Sequence, residues 1–221
     1  VGEYWSGDVR ELEGYLERVP NVMLFDVPLH YHLHDASISD GNVDLSRLWE
    51  NTLTASHPDQ SVTFVENHDT QPGQSLASTV APWFKAAAYA IILFNEAGVP
   101  CVFWGDLLGS PESDDLPAVR ELPTLMSVRS RAAVGPQHNA FDDADVVGFA
   151  REGTEEIPGS GCAVILSDRM AAEKTLYVGQ RHAGQEWECV IGGHPSVRVA
   201  DDGTLTGTVS DGGLSVYVPR A

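Results

Sequence analysis

A cluster of polar side chains follows a short apolar run near the middle of this 221-residue chain. The run at residues 62–65 is β-branched and aromatic, as in a buried strand, and leads directly into Glu66, Asn67, His68 and Asp69. Polar groups at this density, at the C-terminal end of a buried strand and just before a Pro-Gly turn, are typical of the catalytic face of a (β/α)8 barrel. The same residues could instead form a solvated turn and helix cap, and spacing alone leaves both interpretations open.

A second carboxylate that could do chemistry is Glu3, which stands beside Tyr4 and Trp5. If residues 1–4 are the end of a strand, the flanking rings would desolvate Glu3. Desolvation favours the protonated form of a carboxyl group, as a general acid requires. The alternative is a frayed terminus with a solvated glutamate.

The elements that must position these residues alternate between strands and helices. In chain order, we predict a strand end at residues 1–4, a helix at 9–19, a strand at 22–29, a helix at 44–53, a strand at 62–65, a helix at 82–97, a strand at 101–104 and a helix at 116–131. Strict alternation implies a parallel sheet covered by helices. Four such units make half of an eightfold barrel, whose open edges would need another half or a partner, including self-association.

Three histidines, His30, His32 and His34, alternate after the predicted strand at residues 22–29. A metal site is one interpretation of this spacing. Alternate positions on a helix point in different directions, and a strand here would be partly exposed. We therefore do not expect a histidine metal cluster.

The pattern changes near residue 138. Residues 139–221 consist of short alternating stretches, such as VVGFAR, KTLYVG and LSVYVP, separated by turns rich in Gly and Asp. Regular short strands with such turns predict an antiparallel β-sandwich. We therefore predict two units, a half-barrel at residues 1–138 and a β-sandwich domain at residues 139–221.

The composition argues against some partners. The chain carries a formal net charge of −19 and contains only two lysines, Lys85 and Lys174. Its 13 Lys and Arg residues are too few to neutralise nucleic-acid phosphates or an anionic membrane surface, so we expect neither partner. No apolar run approaches the roughly 20 residues of a membrane span. An acidic surface fits an enzyme that handles an uncharged substrate, although high-salt adaptation would also produce it.

Several stretches, taken together, resemble one enzyme family. VTFVENHDTQPGQS at residues 62–75 is similar to the strand-seven motif of the alpha-amylase family of glycoside hydrolases, a Phe-Val-x-Asn-His-Asp core followed by a Pro-Gly turn. Residues 82–109 resemble the next helix and the eighth strand of the bacterial liquefying-type members, and VGEYW at residues 1–5 resembles the end of strand five. DADVVGFAREG and DGGLSVYVP resemble the start and end of the family's C-terminal β-domain. The resemblance runs in order over essentially the whole chain.

This resemblance implies strands five to eight of a (β/α)8 barrel followed by the β-sandwich. It also implies retaining endo-hydrolysis of α-1,4-glucosidic bonds in starch and maltooligosaccharides. Glu3 would be the general acid/base, Asp69 the third carboxylate that fixes sugar hydroxyls and helps distort the ring, and His68 a donor to the same sugar. A retaining site also needs a carboxylate nucleophile roughly 5 to 5.5 Å from the acid/base.

In the family the nucleophile lies on strand four, which precedes the stretch that VGEYW resembles. We therefore expect a truncated chain that cannot complete the double displacement alone. The alternative is a catalytically inactive glucan-binding or structural fragment. Relatives of this type occur both secreted and in the cytoplasm, so the compartment stays open, with an extracellular location slightly favoured.

Other residues carry weaker inferences. Trp5 and Trp104 could stack on sugar rings or pack in the core, and Asp26 could contact substrate or have a buried structural role. The resemblance also implies a cation site between barrel and β-domain, and its five ligands would be Gly41, Val43, His138, Asn139 and Asp168. Asn139 stands where the family pattern has an Asp. Oxygen ligands favour calcium over zinc, although the family's main calcium site lies outside the region that this chain resembles.

Overall fold

The computed structural model describes residues 1–109 and 116–220. The first sheet contains three parallel strands in the spatial order β1 (Leu24–Phe25), β2 (Ser61–Phe64) and β3 (Val99–Cys101). An isolated parallel bridge between Gly2 and Leu24 adds the first residues of the chain to the free edge of β1. The predicted strand positions therefore lie side by side and run in one direction, so their carboxyl ends meet at one edge of the sheet.

Six α-helices accompany this sheet within the described residues: α1 (Val9–Arg18), α2 (Val27–Ile38), α3 (Leu53–Ser56), α4 (Pro82–Phe94), α5 (Trp104–Leu108) and α6 (Leu122–Arg131). Short 3₁₀ turns span Leu45–Arg47 and Pro58–Gln60. α4 begins with a proline in its first turn, where the missing amide is tolerated, and it buries most of its side chains. It is the central helix of the main apolar core.

The predicted strand at residues 22–29 is wrong beyond Phe25. Asp26 caps α2 by accepting a hydrogen bond from Leu29 N at 3.1 Å, and Pro28 lies in the first helical turn. Aspartate followed by proline within two positions is a helix-start signal, because the side chain accepts an orphan amide and the ring presets φ. A prediction based on periodicity misses this signal, because the apolar residues continue on both sides of Asp26.

Several other predicted boundaries also move. The strand predicted at residues 101–104 begins two residues earlier, and Trp104 starts α5. The helix predicted at 44–53 is replaced by the first 3₁₀ turn and α3. The helix predicted at 116–131 begins only at Leu122, with Pro123 in its first turn.

The remainder of the chain forms antiparallel sheets, as predicted. Its strands are β4 (Gln137–Ala140), β5 (Val146–Arg151), β6 (Cys162–Ser167), β7 (Ala172–Tyr177), β8 (Glu186–Ile191), β9 (Val197–Arg198), β10 (Thr204–Val209) and β11 (Leu214–Pro219). Six form one sheet in the order β4-β5-β6-β11-β8-β9, and β7 pairs with β10. Apolar residues of both sheets share a second core, so the sheets pack face to face. β4 starts at residue 137, one residue before the predicted boundary.

The parallel and antiparallel parts share the main core. Residues of β5, β6 and β11, including Phe149 and Val164, belong to the same buried cluster as α4 and α6. Two guanidinium groups close the contact at the C-terminus of α4: Arg129 donates to Leu93 O at 2.5 Å, and Arg151 donates to Phe94 O at 3.0 Å. Cations at this position satisfy orphan carbonyls and complement the helix dipole. The β-domain therefore contributes to the placement of α4.

Within residues 1–109 and 116–220, no helix combines the length and apolar character needed to cross a membrane.

The fold depends on the carboxylate of Asp26. This carboxylate is buried, although a substrate contact was one of the two roles predicted for it. Besides capping α2, it accepts hydrogen bonds from Leu53 N, Thr54 N and Thr54 Oγ1 at 2.6 to 3.1 Å, and the residue has no exposed surface. These bonds use both carboxylate oxygens and tie α2 to α3. The structure therefore contradicts a substrate contact by Asp26.

We expect Asp26→Ala to lower the free energy of unfolding by about 3 kcal/mol, because three buried backbone amides lose the carboxylate that accepts their hydrogen bonds. Asp44→Ala is the matched control: Asp44 also caps a helical turn but is exposed, so we expect about 1 kcal/mol at most. Urea unfolding at pH 7 measures both values. Equal losses in the two variants would contradict the structural role assigned to Asp26.

Candidate functional site

The predicted catalytic residues lie at the carboxyl edge of the parallel sheet. Glu3 follows the Gly2 bridge, His68 and Asp69 follow β2, and Trp104 follows β3. The Trp5 and Phe64 ring centroids are 5.8 Å apart, so the N-terminal segment and the end of β2 meet at this edge. In barrels of this type the carboxyl edge is where loops build the active site.

The segment from residue 66 to residue 80, which follows β2 and which we call the Asp69 loop, is held in one conformation by its own hydrogen bonds. Asn67 Oδ1 accepts from Asp69 N at 2.9 Å and from Thr70 N at 3.0 Å, while Thr70 Oγ1 accepts from Asn67 N at 3.0 Å. The His68 and Asp69 side chains remain accessible, with 70% and 36% of their surface exposed. His68 Nε2 lies 3.6 Å from Asp69 Oδ2. A carboxylate and an imidazole are therefore presented together to solvent or to a ligand.

Glu66, the first polar residue after β2, faces the interior. Its Oε2 accepts from Thr70 Oγ1 at 2.5 Å and from Gln71 Nε2 at 3.0 Å, and its Oε1 accepts from Val80 N at 2.7 Å. These bonds hold both ends of the segment from residue 66 to residue 80. Burial raises the pKa of Glu66, and the charge of Lys85 opposes this effect.

A buried ion cluster, consisting of Glu66, Lys85, Asp106 and Tyr89, lies directly behind the Asp69 loop. Lys85 Nζ is 2.5 Å from Asp106 Oδ1 and 3.5 Å from Glu66 Oε1, and Tyr89 OH donates to Asp106 Oδ2 at 2.6 Å. Burial and the adjacent Asp106 charge raise the pKa of Tyr89, so it stays a neutral donor. Sequence patterns alone did not predict this cluster. One signal was available: Lys85, one of the two lysines of the chain, lies inside a helix that is otherwise apolar.

The rings beside Glu3 do not cover it. Tyr4 packs on Tyr15 with centroids 5.0 Å apart, and Trp5 is half-buried with its Nε1 donating to Tyr31 OH at 2.9 Å. Glu3 itself is exposed. The expectation that Tyr4 and Trp5 desolvate Glu3 is therefore wrong.

The two candidate stacking residues differ in exposure. Trp5 makes edge contacts with His30, Tyr31 and Phe64, whereas Trp104 has 71% of its surface exposed. A sugar ring needs an open aromatic face. Trp104 is therefore the more suitable platform, and most of the Trp5 ring serves packing.

The three alternating histidines all lie on α2, and each Nδ1 hydrogen-bonds to a backbone carbonyl. The carbonyl partners of His30, His32 and His34 are Val65 O, Leu48 O and Thr79 O, at 2.8 to 2.9 Å. They stabilise three separate segments, two of which flank the Asp69 loop. Each ring is therefore oriented by a different part of the chain.

The predicted cation ligands do not come together. His138 Nε2 lies 2.9 Å from Glu152 Oε2, and Asn139 Oδ1 accepts from Gln137 Nε2 at 2.7 Å, both on β4. Asp168 lies beside the opposite end of β5 from these residues. The structure therefore contradicts His138 and Asn139 as ligands of one ion with Asp168, because strand pairing separates them along β5.

Asp168 instead shares a buried corner with Asp145. Its amide donates to Asp145 O at 3.2 Å, and both of its carboxylate oxygens are buried without a hydrogen-bond partner among the described residues. Burial, and next the charge of Asp145, raise the pKa of Asp168 to about 6. A buried carboxylate without donors is costly unless a cation or a proton compensates it.

The loop with Gly41 and Val43 reaches the same corner, because Leu45 N donates to Ala144 O at 2.8 Å. In the part of the chain that the structure describes, no three His, Cys, Asp or Glu side chains converge as a metal site. A cation here would therefore be bound by two carboxylates and backbone carbonyls. Such oxygen donors suit calcium.

Comparison with known proteins identifies the class to which this fold and edge belong. The structure matches an alpha-amylase from Malbranchea cinnamomea with a TM-score of 0.69 and 18% identity, covering 99% of this chain and 50% of that one. It matches the Geobacillus thermoleovorans alpha-amylase complexed with acarbose with a TM-score of 0.64 and 18% identity, covering 100% of this chain and 53% of that one. At these identities the comparison establishes the fold.

Curated relatives are closer in sequence. The chain is 42% identical over 225 residues to an alpha-amylase of Bacillus licheniformis and 43% identical over 223 residues to one of Geobacillus stearothermophilus. All of this chain is covered in both cases, against 44% and 40% of the relatives' length. No family model matches.

The chain therefore belongs to the alpha-amylase family of glycoside hydrolases, and it corresponds to the C-terminal portion of those relatives. It spans less than half of the length of the curated relatives it matches.

His30, beneath the candidate site, makes the stability of the fold depend on pH. It is fully buried under the Asp69 loop, stacks on Phe64 at 4.8 Å and has its Nε2 2.7 Å from Ser78 Oγ. Burial lowers its pKa from 6.5 to about 4. The unfolded chain therefore binds the proton first, so this contribution to stability is complete above pH 6.5 and is lost as the pH falls towards 4.

We expect the free energy of unfolding to fall by about 3 kcal/mol between pH 6.5 and 4 because of His30. This fall should be absent in His30→Gln, which will be less stable than wild type at pH 7. Urea unfolding across this range measures it. His32→Gln is the matched control, because it removes a similar hydrogen bond to a backbone carbonyl on the same helix but leaves the buried His30 ring in place. Identical pH dependence in wild type and His30→Gln would contradict this assignment.

Proposed function

We propose that this chain provides the acid/base and the sugar-fixing carboxylate of a retaining hydrolase of α-1,4-glucans. The observation that carries the proposal is the placement of Glu3, Asp69 and Trp104 at one edge of the parallel sheet, each accessible. The curated relatives named alpha-amylase support it. The acarbose complex of a structural neighbour supports an oligosaccharide ligand for this fold.

Glu3 has the chemistry of the acid/base. In a retaining hydrolase this carboxyl group protonates the leaving glycosidic oxygen while a second carboxylate attacks the anomeric carbon, and it then deprotonates the water that hydrolyses the glycosyl-enzyme. The family nucleophile lies on a strand that precedes the stretch matching residues 1–5. Turnover is therefore expected to require that carboxylate in addition to residues 1–221.

Asp69, His68 and Trp104 supply binding. The Asp69 carboxylate can accept hydrogen bonds from two sugar hydroxyls, and the adjacent His68 ring can donate another. The exposed Trp104 indole offers an apolar face to a sugar ring. Because the Asp69 loop is already fixed by Asn67, the carboxylate needs little reorganisation when sugar binds.

We expect residues 1–221, purified, to bind maltoheptaose in calorimetry, and Asp69→Asn to weaken that binding roughly 10- to 100-fold. The reason is that hydrogen bonds to a charged acceptor contribute about 1.5 to 3 kcal/mol. Asp59→Asn is the matched control, because Asp59 is an exposed aspartate at the opposite end of β2. Glu3→Gln should bind as wild type does, since its role is proton transfer.

Reducing-end release from soluble starch separates binding from turnover. We expect none from residues 1–221 alone, and Glu3-dependent release when the family's nucleophile strand is present in the same polypeptide. Unchanged release in Glu3→Gln would contradict the acid/base assignment. Equal affinity of wild type and Asp69→Asn would contradict the role of Asp69.

A calcium ion at the Asp168 corner is the second part of the proposal. Two observations support it: the Asp168 carboxylate has no described donor, and the neighbouring Asp145 adds a second negative group. Carbonyls of the loop with Gly41 and Val43 can complete the oxygen set. A cation here would join that loop to the β-domain and so fix the parallel and antiparallel parts together.

We expect calcium at 100 times its dissociation constant to stabilise the EDTA-treated protein by about 2.7 kcal/mol, which corresponds to a rise in Tm of roughly 5 to 10 °C. Asp168→Asn should abolish this rise. His138→Gln should keep it, because His138 lies away from the corner. A calcium-dependent rise that survives in Asp168→Asn, or that disappears in His138→Gln, would contradict the site.

A further inference from the structure

Two loops of the candidate site leave neighbouring strands and meet at one buried cation. We propose that Lys85 is a positioning residue: by bridging Glu66 and Asp106, it holds the Asp69 loop and Trp104 in the relative arrangement that glucan binding requires. This inference rests on the proposed function of the same edge.

The first half of the bridge is the link from Lys85 to the Asp69 loop. Glu66 is the residue through which it acts, since both of its oxygens accept hydrogen bonds from the loop, from Thr70 and Gln71 at one end and from Val80 at the other. Thr70 Oγ1 in turn accepts a hydrogen bond from the Asn67 amide. A displacement of the Glu66 carboxylate is therefore transmitted to the backbone that presents Asp69.

The second half links Lys85 to the loop after β3. Asp106 lies in the five-residue helix that begins at Trp104, and its Oδ1 is 2.5 Å from Lys85 Nζ. Tyr89 OH donates to Asp106 Oδ2 at 2.6 Å and accepts from Phe103 N at 3.4 Å. Residues 103–106 are thus attached to α4 at two of its positions, Lys85 and Tyr89.

The charges explain why the ammonium is needed. Glu66, Lys85 and Asp106 are each at least 95% buried. Within residues 1–109 and 116–220, Lys85 is the only cationic group in ion-pair contact with either carboxylate. Without it the two carboxylates face each other in a low dielectric and repel, so the loops that they hold would separate or one carboxylate would take up a proton.

The test separates positioning from general stability. Lys85→Met keeps the stem of the side chain and removes the charge; we expect it to lower the Tm and to weaken maltoheptaose binding at least 10-fold. Lys85→Met/Asp106→Asn removes one positive and one negative charge together. We expect the double variant to recover most of the Tm but not the affinity, because the ammonium bridge is still absent.

Backbone hydrogen exchange provides a readout that does not depend on sugar. Amides of residues 67–70 and 103–106 should exchange at least 10-fold faster in the double variant than in wild type, while amides of β5 and β6 remain unchanged. Lys174→Met is the matched control, since Lys174 forms the chain's other lysine ion pair, with the exposed Asp142. It should leave Tm, affinity and exchange at wild-type values.

The outcomes distinguish this inference from the proposed function. Wild-type affinity and exchange in the double variant would overturn the positioning role and leave the proposed function intact. Failure of the wild type to bind maltoheptaose would overturn the proposed function, and the exchange measurement would still decide whether Lys85 holds the two loops together. Faster exchange with an unchanged affinity would overturn the inference, because the arrangement would then not matter for binding.

Discussion

The candidate site depends on one buried ammonium group surrounded by two carboxylates and a phenol. Removing three charges from water is costly, and such a cluster is tolerated only when hydrogen bonds satisfy the remaining lone pairs. Thr70, Gln71 and Val80 provide this for Glu66, and Tyr89 provides it for Asp106. The donors to Glu66 belong to the loop after β2, whereas Tyr89 belongs to α4 and holds Asp106 of the segment after β3. The bonds that satisfy the charges therefore also fix the site.

The position of Lys85 depends in turn on the β-domain. α4 is apolar on nearly every side because it lies between the parallel sheet and the strands β5, β6 and β11. Arg129 and Arg151 satisfy the carbonyls at its C-terminus, and Arg151 belongs to β5. The antiparallel domain therefore does more than follow the barrel part in sequence. It fixes the helix from which Lys85 reaches the carboxyl edge.

The sequence predicted the parallel sheet and the polar edge, because both follow from local patterns: an apolar run and the polar residues directly after it. It did not predict contacts made across the fold. Lys85 reaches Glu66 and Asp106 from 19 and 21 positions away, and Asp145 meets Asp168 only through the pairing of β5 with β6. Adjacent residues such as His138 and Asn139 look like ligands in sequence, yet strand pairing places them elsewhere.

Glu3 shows how far the site can be understood from these residues. A carboxyl group acts as a general acid when its surroundings favour the protonated form, usually by excluding water. Tyr4 packs on Tyr15, and Trp5 packs on Tyr31 and Phe64, so neither excludes water from Glu3. A sugar bound at this edge would supply the cover that Tyr4 and Trp5 do not. The residues of this chain fix where the Glu3 carboxylate stands, and under the proposed function the sugar that binds over it would exclude water from it.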